Sequence, residues 1–408
     1  MMSDNFLNKK MSRREFLKKA GIGGAGLAIG ASAASAFFTD KADKAHKTIE
    51  GKQEISFYGK HQSGITTPVQ SNCYFMVLEL TTAEKATVIQ IFKDWTDYSH
   101  SLMSGKVVKE EGDNLYLPPN DTGEALGLNP YRLTLTFGIA PSFLDKLGLE
   151  DKKLPEFKDL PAFPRDQLKE NYTGGDIVIQ ACADDAQVAF HAVHNLVRKA
   201  RSHVSMKWSQ SGFLPLGDGK STPRNLFGFK DGTVNPKKDE WDDFVWCDQT
   251  NWLKGGTYLI VRRVAMFLET WDRTSLGEQE KTFGRHRDSG AYLGQKDEFD
   301  EIDLEKKNED GELAIPVDAH VRLAKEANQT ILRRAFSYAS GINEVTGQFD
   351  AGLLFICFQK DPVQFIDIQM KLGNEDKLNE YITHVGSGLF ACFPGVKEGE
   401  YLGQSLFE

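Results

Sequence analysis

Two pairs of segments in the chain share the same order of apolar and polar positions. The first pair, residues 73–80 and 257–264, consists of strand-like apolar runs that each lead into a stretch with helical periodicity. In the second pair, 176–182 and 353–358, a strand-like run passes through a short polar loop into an amphipathic helix. Both pairs are separated by roughly 180 residues, a spacing that indicates an internal repeat.

Between these segments, residues 133–139 alternate like a half-buried strand, and a helical run begins at Pro141. Strands that alternate with helices in this way are typical of α+β folds. The sequence therefore predicts two ferredoxin-like antiparallel α+β units, as in the dimeric α+β barrel type of fold. We expect an N-terminal unit over residues 55–212 and a C-terminal unit over 213–408, with the boundary where Gly and Pro cluster.

The amino-terminal segment differs from the rest of the chain. A basic stretch that contains Arg13 and Arg14 leads into a bland Gly/Ala-rich segment that ends in Ala34-Ser35-Ala36. The stretch 12–18 resembles the twin-arginine export signal, whose pathway carries folded proteins, and the apolar part is too short for a membrane span. We therefore predict a signal peptide over residues 1–36, a polar tether over 37–54, and an extracytoplasmic protein in the periplasm, the cell envelope or the medium.

Charge and cysteine content exclude several classes of protein. Removal of residues 1–36 takes away six of the 49 Lys and Arg and two of the 58 Asp and Glu, which changes the formal net charge from −9 to −13. Such an acidic chain is unsuited to nucleic acid, and no later segment is long enough for a transmembrane anchor. The five cysteines form neither a Cys-x-x-Cys nor a Cys-x-x-Cys-His motif, so we expect buried free thiols rather than zinc, thioredoxin-like or c-type haem chemistry.

The segment 225–236 is rich in Gly, Asp and Asn and by composition alone favours a surface turn. Within it, residues 228–233 match the Gly-x-x-Asp-Gly motif of the dye-decolourising, or DyP-type, haem peroxidases. Three further stretches, 271–291, 318–324 and 331–338, resemble that family in the same order. Together the matches cover most of residues 55–408. Within the family, the chain resembles the twin-arginine-exported deferrochelatase/peroxidase subgroup that accompanies bacterial ferrous iron uptake.

The resemblance implies one non-covalently bound haem b per chain, with His320 as the iron ligand. Neutral imidazole is a strong axial donor, and a carboxylate that accepts its other N–H makes it more electron-rich. Asp376 matches the family's proximal acid, although a solvated acid at a helix start is the alternative. The other histidines, including His191, His194 and His203 on one helical stretch, are interpreted as structural.

On the opposite face of the haem, Asp231 is the expected proton shuttle and Arg333 the group that stabilises charge. Asn235 is expected to hold the distal hydrogen-bond network, unless it is only a turn residue. Strand periodicity places Leu353 and Phe355 on one face, where they line either the haem pocket or an ordinary core. The three residues that follow Asp231 are also expected to contact the haem: Gly232, Thr233 and Val234.

The function that these expectations support is a peroxidase that uses hydrogen peroxide to oxidise small donors, dyes or porphyrinogens. The resemblance also implies a second reaction, release of iron from haem with the porphyrin left intact. Two alternatives are a non-catalytic extracytoplasmic haem carrier, which would not need Asp231 and Arg333, and a chlorite dismutase-like haem oxidoreductase, which would lack the Gly-x-x-Asp-Gly acid. Ferrous iron uptake components and a second copy of the chain are the candidate protein partners.

Overall fold

The apolar runs of the sequence become strands that pair on both sides. The computed structural model describes residues 54–110, 112, 114–215 and 222–408. The predicted signal peptide, and the predicted tether except Glu54, lie outside the described residues. The strands of the first half are β1 (Asn72–Leu80), β2 (Thr134–Ile139), β3 (Ile177–Ala183) and β4 (Val204–Phe213). Those of the second half are β5 (Thr257–Met266), β6 (Leu332–Arg333), β7 (Phe336–Ile342), β8 (Phe349–Gln359) and β9 (Ile382–Cys392).

Helices connect these strands, and the longest helices pack against the outer faces of the sheet. In chain order they are α1 (Ser63–Thr66), α2 (Lys85–Met103), α3 (Pro141–Lys146), α4 (Ala186–Ala200), α5 (Trp241–Phe244), α6 (Leu268–Trp271), α7 (Leu276–Phe283), α8 (His320–Glu326), α9 (Pro362–Leu372) and α10 (Gln404–Phe407). Short 3₁₀ helices span Glu150–Lys152, Glu170–Tyr172, Lys238–Glu240 and Lys377–Glu380. In the described part of the chain, no helix has the length and apolar character needed to cross a membrane.

Each half has the strand order of a ferredoxin-like unit. The order is β2-β3-β1-β4 in the first half and β9-β5-β8-β7 in the second, and all of these pairings are antiparallel. Pairing of β2 with β9 and of β4 with β7 joins the two units, so eight strands close into a barrel, and β6 adds to β8. The predicted fold class of two ferredoxin-like α+β units is therefore confirmed.

Closure of the barrel explains why the strands are apolar almost throughout. Side chains of one strand alternate between the barrel interior and the outer layer. Along β1, Phe75 and Val77 lie in the interior cluster, whereas Met76 and Leu78 pack in the outer cluster with the helices. All five cysteines are buried, and none forms a disulfide.

Strand β4 occupies part of the region that we interpreted as a boundary. The Gly- and Pro-rich composition there predicts a break, but Gly212 lies inside β4, where a side chain would collide with Phe336. The glycine allows β4 to approach β7 closely at the seam between the two units. The proposed boundary at 212/213 thus falls at the end of β4, and the division of the chain into two domains stays a prediction.

Candidate functional site

The predicted distal residues meet on the outer side of the second unit. Arg333 Nη1 donates to Asp231 Oδ1 at 3.1 Å, and Asn225 Nδ2 donates to the other carboxylate oxygen of Asp231 at 3.5 Å. The Asp231 and Arg333 side chains are 21% and 27% exposed. The structure therefore brings a carboxylate and a guanidinium together at a position that a small molecule can reach.

Two glycines shape the loop that carries Asp231. Gly228 has φ +83° and Gly232 has φ +105°, conformations that favour glycine. Asn225 Oδ1 accepts the backbone N–H groups of Phe227 and Phe229 at 3.0 and 3.3 Å, which tightens the turn. Space is open beside Gly232, because a Cβ atom there would have no atom within 4 Å. The loop therefore leaves open space next to Asp231, at the backbone of Gly232.

Asn235 holds the main chain of Arg333. Its Nδ2 donates to the Arg333 carbonyl at 3.1 Å, and its Oδ1 accepts the Arg333 N–H at 2.8 Å. Arg333 belongs to the two-residue strand β6, which pairs with β8 through Leu332 and Arg333. Asn235 therefore fixes the strand that carries the guanidinium. Within the described residues, its side chain bonds to the main chain of Arg333 and not to Asp231.

Sequence reasoning missed Glu298, which ties down the loop on both sides of Asp231. Its carboxylate accepts from Thr233 Oγ1 at 2.9 Å and pairs with Lys230. Burial acts to raise the pKa of Glu298, but its bonds to Lys230, Thr222 and Thr233 outweigh this effect and lower that pKa. No local motif marks Glu298, because in the sequence it is one of several acidic residues in a loop, most of which are exposed.

The predicted proximal pair is also in contact. His320 is the first residue of α8, and its Nδ1 lies 2.7 Å from Asp376 Oδ2. Asp376 is only 4% exposed, and its other oxygen accepts the Leu378 N–H at 2.9 Å at the start of a 3₁₀ helix. Because a carboxylate accepts from Nδ1, that nitrogen carries the proton and Nε2 keeps its lone pair.

Electrostatics connect the proximal and distal residues. Burial lowers the pKa of His320, but the Asp376 carboxylate outweighs it, so the pKa is raised. Arg333 lowers and Asp231 raises the same pKa, both by less than Asp376 does. The Phe283 ring lies edge-on at 6.3 Å from that of His320.

Leu353 and Phe355 lie on the outer face of β8. Side chains alternate along β8: Leu354 and Ile356 point into the barrel interior, where they are buried. Leu353 and Phe355 point to the opposite face, where they are half-buried. The Phe355 ring packs 6.0 Å from that of Phe365 on α9. Val234, another predicted haem contact, is 62% exposed. The haem contacts expected of Gly232, Thr233, Val234, Leu353 and Phe355 stay predictions.

A buried polar cluster near Phe355 was not predicted. Arg262 on β5 is the Cα partner of Phe355; its Nη1 donates to Ser387 Oγ at 3.0 Å, and its Nη2 pairs with Asp166. Arg262 Nε has no hydrogen-bond partner within the described protein. His384 adjoins this cluster, with Nδ1 3.8 Å from Asp166. In the sequence, Arg262 stands out only as a charged residue inside an apolar strand, which does not indicate its partners.

The remaining histidines of interest belong to another network. His191 and His194 on α4 contact Asp121 at 2.8 Å and Glu124, respectively, which ties the helix to a loop. His203 does not continue that helix, which ends at Ala200, and this part of the prediction is wrong. A turn closed by the His203 N–H and the Ala200 carbonyl at 2.8 Å separates it from α4.

Comparison with known proteins identifies the family. The N-terminal model of the Dyp-type peroxidases matches residues 62–214, and the C-terminal model matches 222–397. The deferrochelatases of Yersinia pestis bv. Antiqua (strain Nepal516) and Escherichia coli O157:H7 are 36% and 35% identical to the chain, over 97% of it and 95% and 96% of their own lengths. The crystal structure of a DyP-type peroxidase from Streptomyces coelicolor superimposes with a TM-score of 0.81 at 38% identity, covering 88% of this chain and 98% of that one. This chain therefore belongs to the DyP-type peroxidase family, whose members are haem-dependent enzymes.

Proposed function

We propose that the chain binds one haem b non-covalently through His320 and uses hydrogen peroxide as oxidant on the side of Asp231 and Arg333. One observation carries this proposal: the Asp376 carboxylate holds His320 Nδ1, while Asp231 and Arg333, on a separate loop and strand, form a carboxylate–guanidinium pair. An imidazole oriented by a carboxylate is suited to an axial iron site, with Nε2 as the donor.

The residues present fit a haem. Asp376 is almost fully buried and keeps the imidazole oriented, which an axial ligand requires. Half-buried apolar side chains at Leu353 and Phe355 lie on the outer face of β8, and the unpaired N–H of Arg262 lies on the adjacent strand. A porphyrin has an apolar ring and anionic carboxylates, so apolar and cationic groups side by side match its chemistry.

The distal residues would carry the proton transfers. Haem supplies, when bound, the iron that takes the oxidising equivalents of peroxide. The Asp231 carboxylate accepts a proton from one peroxide oxygen and delivers it to the other, which leaves as water. The Arg333 guanidinium stays protonated and stabilises the negative charge that develops as the O–O bond breaks. Asn235 and Glu298 keep the two groups in position through the Arg333 backbone and the Asp231 loop.

The substrates fall into two groups. Small donors, dyes and porphyrinogens would be oxidised by peroxide, as in other peroxidases of this kind. The curated relatives are named deferrochelatases at 36% identity over nearly the full length, which supports haem itself as a second substrate whose iron is released with the porphyrin left intact. A haem carrier or a chlorite dismutase-like enzyme is less well supported, because neither class accounts for the Asp231–Arg333 pair.

The signal-like segment supports export. The paired Arg13 and Arg14, followed by a Gly/Ala-rich stretch, indicate twin-arginine transport of the folded protein to an extracytoplasmic location, where ferrous iron uptake components would be its partners. Replacement of both arginines by lysine should retain the protein in the cytoplasm, as measured by cell fractionation. Undiminished export of that variant would contradict this assignment.

The reaction can be tested with purified haem-loaded protein mixed with hydrogen peroxide in a stopped-flow spectrometer. We expect a rapid change in the haem spectrum and dye oxidation, and a loss of at least about a hundredfold in rate for Asp231→Ala and Arg333→Ala. Asp243→Ala, an exposed acid on α5, is the matched control and should match wild type. An unchanged spectrum in wild type would favour the carrier.

Two further measurements separate the remaining assignments. His320→Ala should lose haem or change its axial spectrum, and full haem content with an unaltered spectrum would rule out His320 as the ligand. For iron release, the pigment extracted after incubation with haem should have the mass of the metal-free porphyrin, with iron recovered in equal amount. Recovery of intact haem alone, or of ring-opened products, would contradict deferrochelatase activity.

A further inference from the structure

Two cysteines face each other inside the barrel. Cys73 on β1 and Cys182 on β3 are Cα partners in the antiparallel pair, and both lie in the interior cluster. Opposed residues in antiparallel strands have Cα atoms about 4.5 to 5.5 Å apart. That separation falls within the range of roughly 4.4 to 6.8 Å that a disulfide requires. The two thiols can therefore be joined without a rearrangement of the backbone.

A buried guanidinium, that of Arg334, lies beside this pair. It donates to Gln70, whose Nε2 donates to Thr134 Oγ1 at 3.0 Å, and Thr134 is the Cα partner of Cys182. Arg334, next to the distal Arg333, is 3% exposed and donates to the Thr67 carbonyl and to Gln70. Its Nε has no partner within the described protein, and no described carboxylate forms an ion pair with it. Because a buried cation without a counter-charge is costly, an anionic group beside Arg334 would be favoured.

Cys182 is the group that can supply this charge. Burial acts to raise the pKa of Cys182, but the Cys73 thiol and the Arg334 guanidinium outweigh it and lower that pKa to about 7. Burial and the neighbouring Cys182 raise the pKa of Cys73 instead. The pair thus consists of one thiol suited to act as the nucleophile and one that remains protonated.

The barrel interior near Cys182 also contains polar side chains. Thr134 is the Cα partner of Cys182, and Thr136 is that of Gln180, two residues away on the same face of β3. The Thr136 hydroxyl and both amide atoms of Gln180 are buried without a partner in the described protein. Unpaired polar atoms of this kind are sites for internal water, and hydrogen peroxide resembles water in size and hydrogen bonding.

We propose that Cys73 and Cys182 form a dithiol that hydrogen peroxide oxidises to an intramolecular disulfide, separate from the haem site. The Cys182 thiolate attacks one peroxide oxygen, an S–O bond forms, the O–O bond breaks, and the departing hydroxide takes a proton to become water. Cys73 then attacks the Cys182 sulfur, the S–S bond forms, the S–O bond breaks, and the hydroxide leaves as water with the Cys73 proton. Overall, two thiols are oxidised and one peroxide is reduced to two waters.

The other cysteines serve as internal controls. Burial raises the pKa of Cys247 to about 12, and it also raises the pKa values of Cys357 and Cys392. In the described sheet, no cysteine lies opposite any of these three on a neighbouring strand. They should therefore stay reduced when Cys73 and Cys182 react.

The experiment uses reduced, haem-loaded, full-length protein exposed to a small excess of hydrogen peroxide, then denatured, alkylated and analysed by mass spectrometry. Two of the five thiols should become resistant to alkylation, and a Cys73–Cys182 cross-linked peptide should appear. In Cys73→Ser, Cys182 should instead be trapped as the sulfenic acid by dimedone, whereas Cys247→Ser should behave like wild type. Five alkylatable thiols in peroxide-treated wild type would overturn the proposal.

The haem site and the dithiol can be told apart with His320→Ala. The disulfide should form at an unchanged rate in this variant, because the proposed reaction uses peroxide directly. Loss of the disulfide in His320→Ala would overturn direct oxidation of the thiols. Failure of peroxidase activity in wild type, with the disulfide still formed, would overturn only the function proposed for the haem site.

Discussion

At the scale of single residues, the geometry around Asp231 depends on a side chain that does not react. Glu298 binds Lys230 and Thr233, the residues that bracket Asp231 and Gly232. The carboxylate is almost fully buried, so both bonds form in a site of low dielectric constant, where charge-assisted hydrogen bonds are strong. We infer that Glu298 is a positioning residue for the proton shuttle.

Glu298→Gln tests this role, because it keeps the size of the side chain and removes its charge. The ion pair with Lys230 is lost, so the loop should shift and kcat/KM for peroxide should fall by about tenfold to a hundredfold. Ligation by His320 should be unchanged, since His320 and Asp376 lie on other elements. Stopped-flow kinetics measure the effect, with the exposed Glu301→Gln as control. Equal kcat/KM in the two variants would show that the charge of Glu298 is dispensable.

At the scale of elements, β5 and β8 pair along most of their length, and this pairing places Arg262 opposite Phe355. Gly352 on β8 has no room for a side chain: a Cβ atom there would be 1.9 Å from the Val264 carbonyl oxygen and 2.9 Å from the Tyr338 hydroxyl. The first clash is with backbone, which cannot rotate away. Close pairing at this seam therefore requires glycine.

Gly352→Ala should destabilise the protein by about 1–3 kcal/mol, because the strands must move apart to admit the methyl group. The control is Gly277→Ala in α7, where a Cβ atom would meet nothing within 4 Å. That change should be neutral or stabilising by up to about 1 kcal/mol, since alanine has the higher helix propensity. Denaturant unfolding of the haem-loaded proteins compares the two. A Gly352→Ala protein as stable as Gly277→Ala would contradict the close contact.

At the scale of the whole molecule, a buried histidine couples global stability to pH. Burial and the neighbouring Arg262 guanidinium lower the pKa of His384 to about 3. In the unfolded chain the pKa of a histidine is about 6.5. Between these two values the unfolded chain binds a proton that the folded protein does not, so His384 makes the protein less stable as the pH falls from about 6.5 towards 3.

The size of this effect is at most about 1.4 kcal/mol per pH unit, the value for one proton. His384→Leu removes the titrating group and keeps a buried side chain. The free energy of unfolding, measured at pH 7, 6 and 5, should therefore fall more steeply in wild type than in this variant. Comparison of the two proteins removes contributions from Asp166, Glu298 and other carboxyl groups that titrate in both. Parallel curves would show that folding does not change the protonation of His384, and would contradict a lowered pKa.

Much of the fold could be predicted because hydrophobic periodicity reports burial locally. The runs that became β1, β3, β5 and β8 each carry their own signal, and the repeat showed that the two halves would be alike. Strand β4 was missed because Gly212, required for close approach to Phe336, looks like a turn residue when the sequence is considered alone. The sequence alone does not show which residue of a neighbouring strand will lie against a glycine.

The sequence by itself determined the two-unit α+β pattern, because periodicity depends only on neighbouring residues, and its short motifs singled out Asp231, His320 and Arg333 as candidate site residues. The tertiary structure decided that the eight strands close into one barrel, that Asp376 is buried against His320, and that Asn235 holds the Arg333 backbone. It also placed Glu298 beside Asp231 and Arg334 beside the two facing cysteines. These contacts join residues far apart in the chain, and strand register together with the need to pair buried charges sets them.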